Sequence, residues 1–420
     1  MERKGFARRL PNTAVLLVLA ALAVVGLLWA NIRFAKNNPG GNDFLVHYVG
    51  ARSLLFEGKS PYAESVAKRI QNAAYGHPAQ KGEHELRVAY PLYSVFLFSP
   101  FALISDYDIS RAVWMTVLEL ALFWGAYINL RTANWHPKLW LQAVYFLFAI
   151  LWYHAVRGVI NGNAVVLVSF LLSLFFFAVK NKKDGLAGIL LALTTIKPHL
   201  VILLVIFTGV WALYQRRWAL LFWFLGTMMV LVVGAMLLIP NWIMQNIWEI
   251  IRFPSYNPVL TLGEALGGWI PGIKNQIPWV IALVLGLLLL TEWWAARNKP
   301  FSHFLWACCL TLVIGQWIGI PTDPGNFIIL FPALAIVIAT WDKRWGKAGG
   351  LIVAGTLLIL LVGLWSLFIA SLQRTYQPVQ APVMFIPLPA FLLIGLYWIR
   401  WWVTSPVHSV FQLPTDGNKL

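Results

Sequence analysis

Acidic residues are scarce in this chain: 16 Asp and Glu stand against 32 Lys and Arg in 420 residues, and charged residues of both signs make up only 11%. A composition that is 60% hydrophobic, with a mean hydropathy of +0.71, excludes a water-soluble domain of this length. Cysteine is nearly absent. The two present, Cys308 and Cys309, are adjacent in an apolar run, which excludes a disulfide scaffold and a cysteine metal site. Also missing are a glycine-rich phosphate loop, a His-Glu-x-x-His pair, a nucleophile elbow and a dinucleotide fingerprint, which argues against soluble-type nucleotide chemistry. The formal charge of +16 does not point to nucleic acid, because the basic residues fall in short clusters between apolar runs with no zinc or RNA-binding motif beside them.

What the chain does have is a succession of long apolar runs. They lie at about 13–30, 109–130, 138–156, 163–179, 185–196, 199–214, 218–239, 277–296, 302–320, 326–341, 347–371 and 382–403, and predict an all-α polytopic membrane protein with about twelve spans. Trp29, Trp135, Trp152, Trp218, Trp242, Trp341 and Trp401 stand near the ends of runs, the expected place of interfacial aromatic belts. Arg3, Lys4, Arg8 and Arg9 precede the first run and place the N-terminus in the cytoplasm by the positive-inside rule. No small-x-small cleavage site follows that run, so it reads as an uncleaved helix. Lys180 to Lys183, Arg216-Arg217, Arg297 with Lys299, and Lys343, Arg344 and Lys347 then all become cytoplasmic. A single integral domain over 1–403 is expected, with outer loops at 31–108 and 240–276 and a short cytoplasmic tail at 404–420. The run 91–104 is shorter than the ~20 residues a spanning helix needs and reads as re-entrant or interfacial.

The same threading collects polar residues on the outer side. Asp43 lies just beyond the first run, in the turn Pro39-Gly40-Gly41-Asn42-Asp43 that leads into an amphipathic stretch. Lys197-Pro198 is the apex of a hairpin with short legs, a recessed cation at a helix break suited to an anionic headgroup. Arg157 through Asn161 to Asn163 forms another outer turn, as does Thr322-Asp323-Pro324-Gly325-Asn326.

Plainer readings stand beside these. Asp43 is in a position to cap a helix, Lys197 to snorkel, and Arg157 to be an ordinary loop charge. His47, one turn after Asp43, either tunes that acid, joins a metal site or is a bland interfacial histidine. Gly58, Ser60 and Pro61 read as a helix stop followed by a new cap and first turn, and Tyr62 as a possible lining residue. Glu264 and Arg252 are candidates for contact with a substrate in the loop 240–276. Glu119 falls near the middle of the run 109–130, where an ionisable group suggests either an ion-coupled secondary transporter or a carboxyl bonded within the bundle. No internal repeat of the kind transporters carry is evident.

The order Asn42-Asp43-Phe44, Gly58-Lys59-Ser60-Pro61-Tyr62, Tyr90-Pro91-Leu92-Tyr93 and Ser99-Pro100-Phe101 resembles the first part of glycosyltransferase family 87. Asn161-Gly162-Asn163, Gly185-Leu186-Ala187-Gly188, Ile196-Lys197-Pro198 and Arg216-Arg217-Trp218 continue that order, so the likeness covers about 40–220. The resemblance implies a GT-C-type fold, an active site facing away from the cytoplasm and a polyprenyl-phosphate sugar donor, typically mannose. It implies a lipid or glycan acceptor, membrane lipids as surroundings, and an acid in the first outer loop as base, which is Asp43 here. One departure is that the branch that mannosylates phosphatidylinositol glycolipids carries a histidine in a late Ser-Pro-Ile-rich segment, where this chain has Ile320 to Asn326. Transfer from a lipid phosphate requires a base for the acceptor hydroxyl and a cation for the leaving phosphate. Asp43, with Lys197 and Arg157 as phosphate ligands, meets that need with no cofactor and no metal. His47, Tyr62, Asn161, Asn163, Glu264 and Asp323 are the further candidates for substrate contact.

Overall fold

The computed structural model describes residues 13–256, 261–267, 276–372 and 381–404. The N-terminal basic cluster, part of the loop 240–276 and the tail beyond Thr404 lie outside the described residues. Every regular element among the described residues is helical. The chain opens with α1 (Thr13–Asn37) and continues with three shorter helices, α2 (Asn42–Glu57), α3 (Glu64–Tyr75) and α4 (Ser94–Ala102). Next come α5 (Tyr107–Thr132), α6 (Leu139–Leu151), α7 (Tyr153–Asn161), α8 (Val165–Lys180), α9 (Asp184–Thr194), α10 (Pro198–Tyr214) and α11 (Trp218–Leu238). After α12 (Trp242–Tyr256) and the brief α13 (Leu262–Gly267) the chain forms α14 (Ile277–Ala296) and α15 (Phe301–Gly315). A 3-10 turn, Pro324–Leu330, runs into α16 (Phe331–Arg344), followed by α17 (Gly346–Ser371), a second 3-10 turn, Pro382–Phe385, and α18 (Pro387–Thr404).

Each apolar run in the sequence is helical, and the chain is a polytopic membrane protein. Among the described residues seven helices, counting the turn Pro324–Leu330 with α16 and the turn Pro382–Phe385 with α18, are long and apolar enough to cross a bilayer, or up to eight if α6 and α7, bent by 43° at Trp152, form one broken span. α8, α9, α10 and α15 are apolar but shorter. Within 91–104 the only helix is α4, nine residues long, which at ~1.5 Å per residue falls well short of the ~30 Å hydrocarbon core.

Hydrogen bonds tie the basic turns together at one end of the bundle. Lys180 donates to the carbonyls of Arg131 and Thr132, Lys343 donates to that of Ala133, and the Gln215 amide donates to that of Lys299. Arg217 pairs with Asp184 and also donates to the Val179 carbonyl. Because α8, α9 and α10 each start or finish at these turns, Asn163 and Lys197, which are bonded to each other, lie at the opposite end of these three helices.

Small residues allow the closest of these approaches. A Cβ on Gly188 would stand 2.4 Å from the Leu220 carbonyl oxygen, so α9 and α11 meet backbone to backbone, as tightly packed helices in lipid do.

Not every tryptophan serves the interface. Trp29, Trp218 and Trp401 are exposed, but Trp135, Trp152 and Trp242 are at most 5% accessible and belong to the core. Trp135 is drawn in by a hydrogen bond from its indole to Asp342, 2.8 Å, across the end that carries the basic turns. Being near the end of a run does not distinguish an aromatic that faces lipid from one that faces another helix.

Candidate active site

The proline at the first position of α10 fixes the start of that helix and holds Lys197, before it, in a non-helical conformation. The Lys197 side chain is buried, and its Nζ donates to Asn163 Oδ1 at 2.7 Å and to Asn326 Oδ1 at 3.0 Å. It also stands 5.3 Å from the centre of the Tyr90 ring. Asn163 is placed by Gly162, which ends α7 in the left-handed region at φ +66° and leaves no room for a Cβ, since Phe44 Cβ would be 2.5 Å away. The Asn163 side chain accepts from Val165 N at 3.0 Å and donates to Asn326 Oδ1 at 3.4 Å. Asn326 belongs to the 3-10 turn that Asp323 caps by accepting the Gly325 N–H. Three segments far apart in sequence thus meet on one ammonium group.

Asp43 sits in the first turn of α2 and reaches the same cluster. Its approach is set by two side chains of α5. Tyr107 donates its hydroxyl to the carbonyls of Gly40 and Gly41, at 2.9 and 3.1 Å, and Arg111 donates to those of Asn38 and Ile160, at 2.7 and 3.0 Å. Gly41 is required there: its φ is +78°, and a Cβ would stand 2.5 Å from Arg111 Nε. Gly41 is also the helix cap, without a side-chain hydrogen bond, so capping is not the work of Asp43. The half-buried Asp43 carboxylate accepts a hydrogen bond from Asn163. Burial pushes its pKa up, the nearby Lys197 charge opposes that, Asp323 adds to it, and Arg157 opposes it. Lys197, in the turn between α9 and α10, is pushed down by burial to about 8 against the pull of Asp43 and Asp323.

The other candidates divide. Arg157 is partly exposed on α7, lies over the Phe368 ring at 5.9 Å and is within electrostatic reach of Asp43. Asp323 is exposed, and its charge acts on both Asp43 and Lys197. His47 is buried, stacked on Phe98 at 3.9 Å and against Tyr90 at 4.2 Å. Its pKa is driven to about 3 by burial and by Lys197, so it is neutral and supports the Tyr90 ring. Tyr62 points away from the cluster, donating its hydroxyl to the Tyr90 carbonyl at 2.7 Å. Asn161 ends α7 half-buried and contributes none of these bonds among the described residues. Glu264 falls in α13, and its side chain lies outside the described residues. Arg252 pairs with Glu85 at 2.8 Å. The stop at Gly58 is present, at φ +62°, but the next helix begins only at Glu64 with Ala63 as its cap, because Ser60 instead donates to Gln245. No group of three or more His, Cys, Asp or Glu that would suit a metal ion occurs among the described residues.

Tyr90 and Asn326 join the cluster although neither stood out among the candidates. Tyr90 is anchored by its neighbours: Tyr62 and Asn246 both donate to its carbonyl, at 2.7 and 3.1 Å. The sequence had placed Tyr90 in the segment Tyr90-Pro91-Leu92-Tyr93 that carries the family resemblance and Asn326 in the outer turn Thr322 to Asn326, without a role for either. Glu119 takes the second of the two readings open to it: it accepts from Asn31 of α1 at 2.7 Å, and Asn31 also donates to Thr116 at 3.0 Å.

Fold and site together define a polytopic helical membrane protein with an acid, a clamped lysine and amides gathered at one end of its bundle. The family model of glycosyltransferase family 87 matches residues 89–316, more than half of the 420-residue chain, and the chain belongs to that family. It is a membrane glycosyltransferase. The match includes Tyr90, Arg157, Asn163 and Lys197, begins after Asp43 and ends before Asp323 and Asn326. Searches of curated proteins and of solved structures found no match.

Proposed function

We propose that the protein moves a hexose, mannose being the first candidate, from a polyprenyl-phosphate sugar to a hydroxyl of a lipid or glycan acceptor on the outer face of the cytoplasmic membrane. The observation that carries this reading is the convergence of Asp43, Asn163, Lys197 and Asn326 at the end of the bundle opposite the basic turns. In this reading the fold is of the GT-C type and forms one domain over 1–403, with both termini cytoplasmic.

Asp43 takes the proton of the acceptor hydroxyl as that oxygen bonds to the anomeric carbon. The bond from that carbon to the phosphate oxygen breaks, and the electron pair leaves with the lipid phosphate. Lys197, with Arg157 at the rim, stabilises the phosphate that departs. Direct displacement inverts the anomeric centre, so a β-linked donor gives an α-linked product. The elevated pKa of Asp43 suits a base better than an ordinary surface carboxylate would. In this reading Asp323 contacts sugar hydroxyls, which its exposure and its electrostatic influence on Asp43 and Lys197 support. Family membership and the pairing of Glu119 with Asn31 leave the transporter reading without support.

The test is transfer of labelled sugar from polyprenyl-phosphate mannose, glucose or arabinose to lipid extract and oligosaccharides, in membranes carrying the wild type or Asp43→Asn. The expected result is transfer by the wild type from one donor and a loss of ~10²- to 10⁴-fold in Asp43→Asn, the usual worth of a general base. Undiminished transfer in Asp43→Asn would remove the base assignment, and inertness of the wild type toward every donor would remove the polyprenyl-phosphate reading.

A further inference from the structure

Away from the Lys197 cluster, a polar cavity of about 450 Å³ opens between the loop 79–85 and the end of α12. Its walls are held in place by hydrogen bonds that the reaction does not use. Ala79 N donates to Gln71 Oε1 at 3.0 Å, Gln80 N to Glu83 at 2.8 Å, and Tyr75 to the carbonyl of His84 at 3.0 Å. Arg252 of α12 spans to Glu85 at 2.8 Å. Below Glu85, the buried Arg87 guanidinium grips Glu249 through two bonds of 2.8 and 2.9 Å, which fixes α12 against the loop.

The chemistry of the lining is that of carbohydrate recognition. Tyr256 sits in an aromatic group with His84 and Phe253, both ring centres at 5.4 Å from its own, and its hydroxyl is buried with no hydrogen-bond partner among the described residues. Gln80, Glu83 and Ser255 add amide, carboxylate and hydroxyl groups. The charged residues of the lining are two acids, Glu83 and Glu85, and one base, Lys81. Glu85 is paired with Arg252, which leaves Glu83 balanced by Lys81, and a lining without net charge suits an uncharged polyol better than a phosphate or an anionic lipid headgroup. The cavity is also tied to the cluster by a shared element: α12, whose end forms its wall, donates from Asn246 to the Tyr90 carbonyl at 3.1 Å, and the Tyr90 ring faces Lys197.

We infer that this cavity is the acceptor subsite and that it takes a neutral saccharide, with Tyr256 as the ring the sugar packs against and Gln80, Glu83 and Ser255 as its hydrogen-bonding groups. The inference rests on the glycosyltransferase reading for its biological meaning, but binding is measurable without a donor. Such a site fits an acceptor that is an already formed glycan, extended by one residue, rather than the headgroup of a phospholipid.

The experiment is titration calorimetry on the full-length protein in nanodiscs with four uncharged trisaccharides, mannotriose, maltotriose, cellotriose and chitotriose, against wild type, Tyr256→Ala, Glu83→Gln and Asp43→Asn. At least one trisaccharide is expected to bind the wild type, with affinity reduced ~10-fold or more in Tyr256→Ala, less in Glu83→Gln, and little changed in Asp43→Asn. Glu83→Gln preserves shape, so a parallel weakening there excludes misfolding of the Tyr256 variant as the cause. Failure of all four to bind, or binding indifferent to both cavity substitutions, overturns the inference. The donor is assayed separately by its slow hydrolysis in the absence of acceptor. Hydrolysis that needs Asp43, together with no trisaccharide binding, would reject the subsite and keep the glycosyltransferase reading. Inert donor with Tyr256-dependent binding would do the reverse.

Discussion

Asn326→Leu removes one of the two amide oxygens that accept from Lys197 and leaves the ammonium with Asn163 alone. A buried polar group deprived of a partner costs ~1–3 kcal/mol, so kcat/KM for sugar transfer is expected to fall between ~5- and ~150-fold while the protein stays folded. Unchanged kinetics would mean that Lys197 is held well enough without Asn326. The same pair predicts a bell-shaped pH profile. In the proposed reaction Asp43 is the base and must be ionised, and its pKa is raised, so activity is expected to disappear as pH falls through a point above the usual carboxylate range. In the same proposal Lys197 meets the leaving phosphate and must be charged, and its pKa is lowered to about 8, so activity is expected to disappear again as pH rises past that value. Lys197→Arg, whose guanidinium stays charged, should extend the alkaline limb of the kcat/KM profile, and an unaltered limb would assign it to another group. Asp43 and Lys197 were legible in the sequence because an isolated acid after an apolar run and a Lys-Pro break between short runs are rare in a lipid setting. Tyr90 and Asn326 were not, because their part depends on contacts to residues more than a hundred positions away, such as Asn246 and Lys197.

At the scale of elements, glycine decides where two pieces of backbone approach each other. In Gly162→Ala the added Cβ meets Phe44 and the residue must hold φ +66°, a conformation that costs an L-residue ~1–2 kcal/mol before any clash is counted. Because Gly162 lies between α7 and Asn163, the variant is expected to lower both thermal stability and transfer, whereas Gly58→Ala, equally left-handed but with open space around it, should lower stability alone. Parallel losses in both variants would contradict that separation. Helix positions were readable because apolar length is a local property. Their partners were not. Whether Trp152 faces lipid or Phe331, and whether Ser60 caps a helix or bonds Gln245, depends on what another part of the chain presents to it.

For the whole molecule, the division between an end with basic turns and an end with the Asp43 and Lys197 cluster is open to a direct test. Cys308 and Cys309 are fully buried, which leaves a background in which single introduced cysteines can be labelled. With an impermeant maleimide, Lys81→Cys and Lys182→Cys, both at exposed positions, are expected to label from opposite sides of a sealed membrane. Labelling from the same side would undo the threading. The opposition of the two ends was foreseeable because the positive-inside rule acts on local clusters of charge, while the number of true spans was not, because α8, α9, α10 and α15 are short enough for neighbours rather than lipid to decide their setting.

The socket around Lys197 also bears on when the protein's ordering cost falls due. A lysine side chain free in water samples many rotamers, and fixing it forfeits up to ~2 kcal/mol of entropy. Here Asn163, Asn326 and the Tyr90 ring immobilise the chain as the bundle assembles, before any sugar arrives. The loss therefore falls on folding, and in the proposed reaction the donor phosphate meets a lysine that is already fixed.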